Sequence, residues 1–509
     1  MKSFRKHPYF QPTILFLLGA FSVLGFAPYY FYPAPIIAVL CLCIYWYQAR
    51  SIKQAAKFGF IYGLGLYTVG IYWIYISLHT FGGMPAVMAA FFTFLLAAFM
   101  ALFPALAGAL SKWLSDSNPK YMVIAIPVFW ALSDWVRSWI FTGFPWLTMG
   151  YSQVPYSPLA GYTPIIGIYG ISMITVLIAS LLALLWVNRA NRTRWKYTAF
   201  ALVLSITLVS GLLKFVSWTT PIGKPISVAL LQGNISQEIK WSPEYAQKTI
   251  DLYLGMVKKT KADLVVLPET ALPVVSSQID PAITNQIISH ITANNGNLIM
   301  GMVEYRDATE SYFNSAISYG IAPSQYYQKD HLVPFGEFIP LKFAFAWIYR
   351  DWLNMPLSDM SRGGTKQIPM QLGNQKVAVN VCYEDVFGEE IIRQLPQATL
   401  LVNISNDAWY GKSYAAYQHM QFSQARALET GRMALRATNT GATAIIDSQG
   451  YVVAHAPHDE NIILQGQAQG YTGTTPYVRF GNWLFLIISF IAILWIALPK
   501  ILVRLAKTK

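Results

Sequence analysis

The chain has 509 residues, of which 54% are hydrophobic and 12% charged, with a mean hydropathy of +0.38 and a formal net charge of +13. So apolar a composition, with about half the usual share of charged residues, excludes an ordinary soluble protein and points to a membrane protein carrying one soluble module. Three cysteines, two of them (Cys41 and Cys43) inside an apolar run, exclude a disulfide framework and a four-ligand zinc site.

A helix that crosses a bilayer needs about 20 apolar residues. Such segments fall near 11–28, 31–48, 57–79, 84–111, 121–140, 164–187, 197–217 and 480–499, which predicts a bundle of about eight transmembrane helices. The first is short enough for a signal peptide, but Pro28 follows Phe26-Ala27 where cleavage is expected, so an uncleaved anchor is the reading kept. The fifth contains Asp134 and Arg137; charges inside a span are costly and either mark a site or form an i,i+3 pair near the interface.

The connecting loops alternate in charge. Lys2, Arg5 and Lys6 precede the first segment; Arg50, Lys53 and Lys57 follow the second; Lys112 and Lys120 follow the fourth. Arg189, Arg192, Arg194 and Lys196 follow the sixth, and Lys500, Arg504, Lys507 and Lys509 end the chain, while the loops at 29–30 and 80–83 carry no lysine or arginine. By the positive-inside rule both termini are cytoplasmic, and residues 218–479 lie on the far side, the periplasm in a Gram-negative cell. The expected domains are 1–217 with about seven spans, 218–479 soluble, and 480–509 with the last span. The positive charge is thus partly a topology signal, and no basic patch interleaved with aromatics suggests nucleic acid.

Within 218–479, short apolar runs alternate with helical patterns: 226–231, 264–267, 298–303, 377–381, 399–404 and 442–446. That alternation predicts an α/β or layered α+β domain. Three of its strand-to-loop junctions carry reactive side chains. Leu264-Val265-Val266-Leu267-Pro268-Glu269 ends on a carboxylate; Lys329 and Glu337 flank a Pro/Gly turn, His331-Leu332-Val333-Pro334-Phe335-Gly336; Val379-Asn380-Val381-Cys382-Tyr383-Glu384 delivers one cysteine into a polar turn. A lone cysteine is by default a small buried hydrophobe. A working one needs a base for its proton and a cation for the charge developing on an attacked carbonyl, and the other two junctions offer both.

Leu-Pro-Glu, then Lys-x-His-Leu-x-Pro-Phe-Gly-Glu, then Cys-Tyr-Glu, at roughly 50 to 60-residue spacing, resembles the Glu-Lys-Cys triad of the nitrilase or carbon-nitrogen hydrolase superfamily over about residues 225–460. The resemblance implies a four-layer α-β-β-α sandwich with the triad at strand ends.

Gly143-Phe144-Pro145-Trp146, Gln232-Gly233-Asn234-Ile235 followed by Trp241, and Asn403-Ile404-Ser405-Asn406-Asp407-Ala408-Trp409, on this membrane layout, make the whole chain similar to the apolipoprotein N-acyltransferase family. That likeness implies acyl transfer from a phospholipid, the sn-1 ester of phosphatidylethanolamine, through a Cys382 thioester to the α-amine of the diacylglyceryl-cysteine of an apolipoprotein, the last step of lipoprotein maturation. It implies an inner-membrane enzyme in contact with membrane lipids; a thioester reacts readily with amines, so no metal or cofactor is expected, and spans that replace the support of oligomerisation lead us to expect a monomer. Glu269 would be the base and Lys329 the oxyanion partner of Cys382. Glu337 and Glu384 would hydrogen-bond Lys329, though Glu384 is also readable as a loop carboxylate. Tyr383 would shape the pocket. Asn314 either positions substrate or closes a turn. Trp241, Trp146, Gly143 and Trp409 are candidate substrate contacts, although interfacial tryptophans also serve as membrane anchors. His331 is expected to make a structural hydrogen bond.

Two other readings compete. A membrane-tethered amidase would use the same triad and pass the thioester to water, but has no need of aromatic-rich spans or of the uncharged loop 144–162. A transporter or scaffold would show paired interrupted helices, and none is evident.

Overall fold

The computed structural model describes residues 9–116, 118–188, 195–340 and 359–507. Lys2, Arg5, Lys6, Arg189, Arg192, Arg194 and Lys509 lie outside the described residues. The chain forms two compact units: 1–72, 90–217 and 480–509 in one, 73–89 and 218–479 in the other.

The first unit is helical: Phe10–Ser22, Pro33–Gln48, Ile52–Gly70, most of Ala86–Ser115, Pro119–Arg137, Thr163–Val187, Trp195–Leu213 and Trp483–Lys507. Four stretches, Ala86–Ser115, Pro158–Val187, Trp195–Leu213 and Trp483–Lys500, are long and apolar enough to cross a membrane. Large apolar side chains such as Phe91, Leu212 and Phe490 stand exposed on these helices, a surface suited to hydrocarbon and not to water. Helices Phe10–Ser22 and Ile52–Gly70 meet through glycines: a Cβ on Gly65 would lie 1.9 Å from the Phe16 carbonyl oxygen, and one on Gly19 1.9 Å from that of Tyr62. Small residues at such crossings let backbones approach.

One predicted segment differs from expectation. The stretch 57–79 is not one helix: Ile52–Gly70 stops, and Trp73–Ile76 followed by a π-turn at Ser77–Phe81 begins anew in the second unit. The helix Pro119–Arg137 carries its two charges as an i,i+3 pair, one of the two readings expected, and the pair is buried. Arg137 Nη2 donates to Asp134 Oδ1 (3.1 Å) and Thr148 Oγ1 (3.0 Å), and Nη1 to the carbonyls of Phe144 (2.6 Å) and Trp146 (2.7 Å). Asp134 Oδ2 accepts from Ser172 Oγ at 2.9 Å. Each charge is compensated, as a buried ion must be, and together they pin the loop after the helix.

The second unit is a sandwich of two six-stranded sheets. The strands are β1 (Thr219–Gln232), β2 (Leu264–Val266), β3 (Asn297–Arg306), β4 (Ser311–Gly320), β5 (Tyr326–Gln328), β6 (Met370–Leu372), β7 (Gln375–Val381), β8 (Leu400–Ser405), β9 (Ala434–Thr438), β10 (Ala444–Ile446), β11 (Val452–His455) and β12 (Ile462–Gly473). One sheet runs β12-β1-β2-β3-β4-β5, the other β11-β10-β9-β8-β7-β6. Alternate side chains of β1, β2, β7 and β8 (Val228, Leu230, Leu264, Val266, Val377, Val379, Leu400, Val402) fill the layer between the sheets. The opposite faces pack under helices. Ala229, Val265 and Leu298 meet helices Pro243–Lys258 and Pro281–Ala293, while Ala378, Leu401 and Ala434 meet helix Ala415–Thr430. This is the expected α-β-β-α sandwich. Each sheet contains a parallel stretch (β1-β2-β3 and β7-β8-β9), and the loops that carry Glu269 and Cys382 follow the carboxyl ends of β2 and β7.

Candidate active site

Cys382 follows β7 directly. It is 7% exposed, and its φ of +54° puts a non-glycine residue in the left-handed region. Such a conformation costs on the order of 1–3 kcal/mol and persists where surrounding bonds impose it. The other two reactive loops carry the same mark, at Thr270 (φ +44°) beside Glu269 and at Phe335 (φ +64°) between Lys329 and Glu337. The Cys382 carbonyl oxygen is fixed by two donors, Asn403 Nδ2 at 3.1 Å and His419 Nε2 at 3.1 Å. Burial and the Glu269 charge push the thiol above its ordinary pKa, with Lys329 pulling the other way. The resting group is therefore a neutral thiol, and attack requires a base.

Glu269 ends the loop after β2. Gly301 on β3 lets that loop lie against the sheet: a Cβ there would fall 2.5 Å from the Pro268 carbonyl and 2.6 Å from Glu269 Cα. The Glu269 carboxylate accepts from Asn314 Nδ2 at 2.7 Å and lies 3.7 Å from Lys329 Nζ. Lys240 holds the same loop from the other side, donating to Thr270 Oγ1 (2.6 Å) and to the Glu269 carbonyl (3.2 Å). Burial pulls its ammonium down to about 8 against the Glu269 charge.

Lys329 follows β5, its backbone N–H bonded to the Asn314 carbonyl on β4 at 2.8 Å. It is 1% exposed. Its ammonium meets Glu337 at 2.8 Å, and Glu337 is itself oriented by Asn314 Nδ2 (2.8 Å) and the Val333 N–H (2.8 Å). Burial disfavours the ammonium, but the charges of Glu337 and Glu269 outweigh it and hold the pKa above the ordinary value. The ammonium is thus the resting form of Lys329.

The predicted supporting residues separate. Glu337 bonds Lys329 as expected. Glu384 is no hydrogen-bond partner of the Lys329 ammonium: Oε1 accepts from the backbone N–H of Asp330 (2.7 Å) and His331 (3.2 Å), and Oε2 from Val381 N–H (2.7 Å) and Tyr327 OH (3.0 Å). It ties the lysine loop to the nucleophile turn through backbone. Tyr383 and Phe387 pack edge to face (5.1 Å), and His331 stacks on Phe387 and bonds Glu390 at 2.9 Å, the structural bond expected of it. Asn314 bridges two site carboxylates, where a turn asparagine was the alternative. Trp241 packs half-buried against Val303, Leu332 and Met360. Trp409 faces the segment 73–89: its carbonyl accepts from Ser77 Oγ at 2.9 Å and its ring meets Phe81 edge to face. Gly143 and Trp146 belong to the first unit, where each has a packing reason. Gly143 has φ +87° with no room for a Cβ, and Trp146 is 1% exposed, stacked on Phe144. A side chain so enclosed has little surface to offer a lipid.

Sequence reading missed a buried polar cluster beside Cys382, formed by Asp385, Asp407, His419 and Arg436. Asp407 accepts from His419 Nδ1 (2.8 Å) and Arg436 Nη2 (2.9 Å), and Arg436 Nη1 donates to Asp385 (3.1 Å) and Asn403 (2.6 Å). Asp407 was in view within the Asn403–Trp409 motif, but its partners come from distant elements.

Two family models match the chain: the apolipoprotein N-acyltransferase N-terminal domain over residues 18–181 and carbon-nitrogen hydrolase over 227–477. The chain is 47% identical over 474 residues to the apolipoprotein N-acyltransferase of Nitrosomonas europaea, covering 93% of this chain and 94% of that one. It is 44% identical to that of Chromobacterium violaceum, covering 92% and 89%. Among solved structures, a carbon-nitrogen hydrolase superfamily protein from Xanthomonas campestris with an arsenic adduct in its active site aligns with a TM-score of 0.37 at 17% identity, over 48% of this chain and 91% of that one.

Proposed function

The chain belongs to the apolipoprotein N-acyltransferase family, and from that premise we propose how its own residues carry the acyl transfer. The observation that bears most weight is electrostatic: a buried neutral thiol on a strained turn, a carboxylate free of strong hydrogen bonds from backbone, and a lysine held charged by two carboxylates.

Glu269 takes the Cys382 proton as sulfur attacks an ester carbonyl of a phospholipid, the sn-1 ester of phosphatidylethanolamine. The carbonyl oxygen gains the negative charge, and Lys329 neutralises it; a buried, preorganised cation is worth far more there than in water. Collapse of the intermediate breaks the ester C–O bond, the departing lysophospholipid oxygen takes the proton back from Glu269, and a thioester remains on Cys382. The α-amine of a diacylglyceryl-cysteine then attacks the thioester, Glu269 accepts its proton, and the C–S bond breaks as Glu269 returns that proton to the departing sulfur, giving the amide and the free Cys382 thiol. Asn314 Oδ1 is buried and accepts no hydrogen bond among the described residues, which leaves it available to an N–H of the incoming amine. Trp241, half-buried near the Lys329 loop, and Trp409 are the aromatic surfaces we assign to acyl chain or headgroup.

For topology, we propose about eight spans with cytoplasmic termini and the sheet unit in the periplasm, supported by the lysine and arginine alternation along the chain. The enzyme acts as a monomer on two lipid-anchored substrates.

The test is the intact mass of the purified protein after incubation with phosphatidylethanolamine and no acceptor, with Cys382→Ala alongside. The expected result is one added acyl mass on the wild type alone, removed by hydroxylamine. Release of free fatty acid without an adduct would indicate a hydrolase, and an adduct on Cys382→Ala would move the nucleophile elsewhere.

A further inference from the structure

The nucleophile's backbone is held by groups that take no part in the steps above. The Cys382 carbonyl accepts from Asn403, whose amide is oriented by Arg436 on its oxygen (2.6 Å), and from His419 Nε2. His419 is 1% exposed, so water does not compete for either nitrogen. Its Nδ1 meets Asp407 Oδ1 at 2.8 Å. Nε2 faces two acceptors at nearly equal distance, the Cys382 carbonyl at 3.1 Å and the Asp385 carboxylate at 3.0 Å.

We propose that His419 is a positioning residue for the nucleophile: as a doubly protonated ring anchored on Asp407, it holds the Cys382 carbonyl and thereby the left-handed turn that presents the thiol. This rests on the reading of Cys382 as nucleophile. Both ring nitrogens face oxygen acceptors, which only the imidazolium satisfies. The charged groups facing it are Asp385 from the turn after β7, Asp407 from the turn after β8 and Arg436 from β9; two carboxylates against a guanidinium and an imidazolium leave the cluster neutral. Burial and Arg436 oppose protonation, the two carboxylates outweigh them, and the ring's pKa rises to about 9. The alternative is a core cluster that stabilises the domain and leaves reactivity alone.

Full-length protein in detergent separates the two. Two rates are followed, alkylation of Cys382 by iodoacetamide, located by peptide mass, and acylation by phosphatidylethanolamine. His419→Ala is expected to slow both by roughly 10- to 100-fold, the scale of a small misplacement of a reacting group, with KM for the phospholipid within about twofold. His419→Gln, whose amide nitrogen replaces Nε2 as donor, is expected to recover most of the loss. Equal losses in both variants at unchanged melting temperature, a loss confined to KM, or unchanged alkylation would overturn the proposal. If His419→Ala does not fold, His419→Gln decides: near wild-type alkylation upholds the proposal, and a 100-fold loss in a folded protein overturns it. Should wild-type Cys382 be alkylated yet take no acyl group, the acyl-transfer role of Cys382 fails while the alkylation series still decides the role of His419.

Discussion

One nitrogen of Asn314 serves two carboxylates: Nδ2 donates to Glu269 Oε1 at 2.7 Å and to Glu337 Oε1 at 2.8 Å. Those two carboxylates share the Lys329 cation and would otherwise repel each other across it. Asn314→Asp replaces the shared donor with a third negative charge. We expect kcat to fall by roughly 10² or more, the scale seen when one preorganised polar partner is removed, while Asn314→Ser, which keeps a donor, loses less. Steady-state acyl transfer to a diacylated peptide measures both.

Glu384 accepts four hydrogen bonds and, among the described residues, faces no cation at bonding distance. Glu384→Gln puts an N–H against a backbone N–H, and a buried donor left without an acceptor costs about 1–3 kcal/mol. The expected outcome is a lower melting temperature together with a lower kcat, because the lysine loop and the nucleophile turn lose their common tie. A variant with full stability and reduced kcat would make Glu384 a participant in the chemistry.

Gly301 leaves space that the base loop occupies. In Gly301→Ala the new methyl meets Pro268 and Glu269 backbone at 2.5 and 2.6 Å, and backbone cannot yield as a side-chain tip can. Overpacking of this kind costs typically 1–3 kcal/mol. The displaced base is expected to slow Cys382 acylation more than it weakens phospholipid binding, which single-turnover rates across lipid concentration resolve.

The His419 cluster predicts a pH dependence of stability. The ring's folded pKa, about 9, lies above its ordinary 6.5. A base with a raised folded pKa contributes stability that is fully present below the unfolded pKa and is lost as pH rises through the folded one. The melting temperature in detergent should therefore decline between about pH 6.5 and 9, and His419→Gln should flatten that part of the curve. Parallel curves would place the titration elsewhere.

The residues that meet at the candidate site were more legible in the chain than the scaffold that holds them. Glu269, Lys329 and Cys382 stand at the ends of β2, β5 and β7, and the first and third strands are apolar runs that announce where loops begin. β4 (Ser-Tyr-Phe-Asn-Ser-Ala-Ile-Ser-Tyr-Gly) and β12, with three glycines and three glutamines, escaped because their interior positions are largely polar or small. Their membership of the sheet comes from pairing partners such as β3 and β1. The Asp385–Asp407–His419–Arg436 cluster escaped for a related reason: its members sit on four separate elements, and only the packed fold makes them neighbours. The two-charge helix Pro119–Arg137 was legible as a question, whose answer needed the loop carbonyls that Arg137 binds.

The placement of Trp73–Ala89 in the sheet unit has a consequence for how the protein is made. Trp73 Nε1 bonds Gln418 Oε1, a partner 345 residues further along the chain. At about 5–20 residues per second, translation reaches that partner roughly 20–70 s after Trp73 emerges. For that interval the segment is without the surface it will cover. The catalytic unit is thus stitched from an early piece and a late one, and a fragment beginning at residue 218 would be translated without the piece against which its Trp409 turn rests.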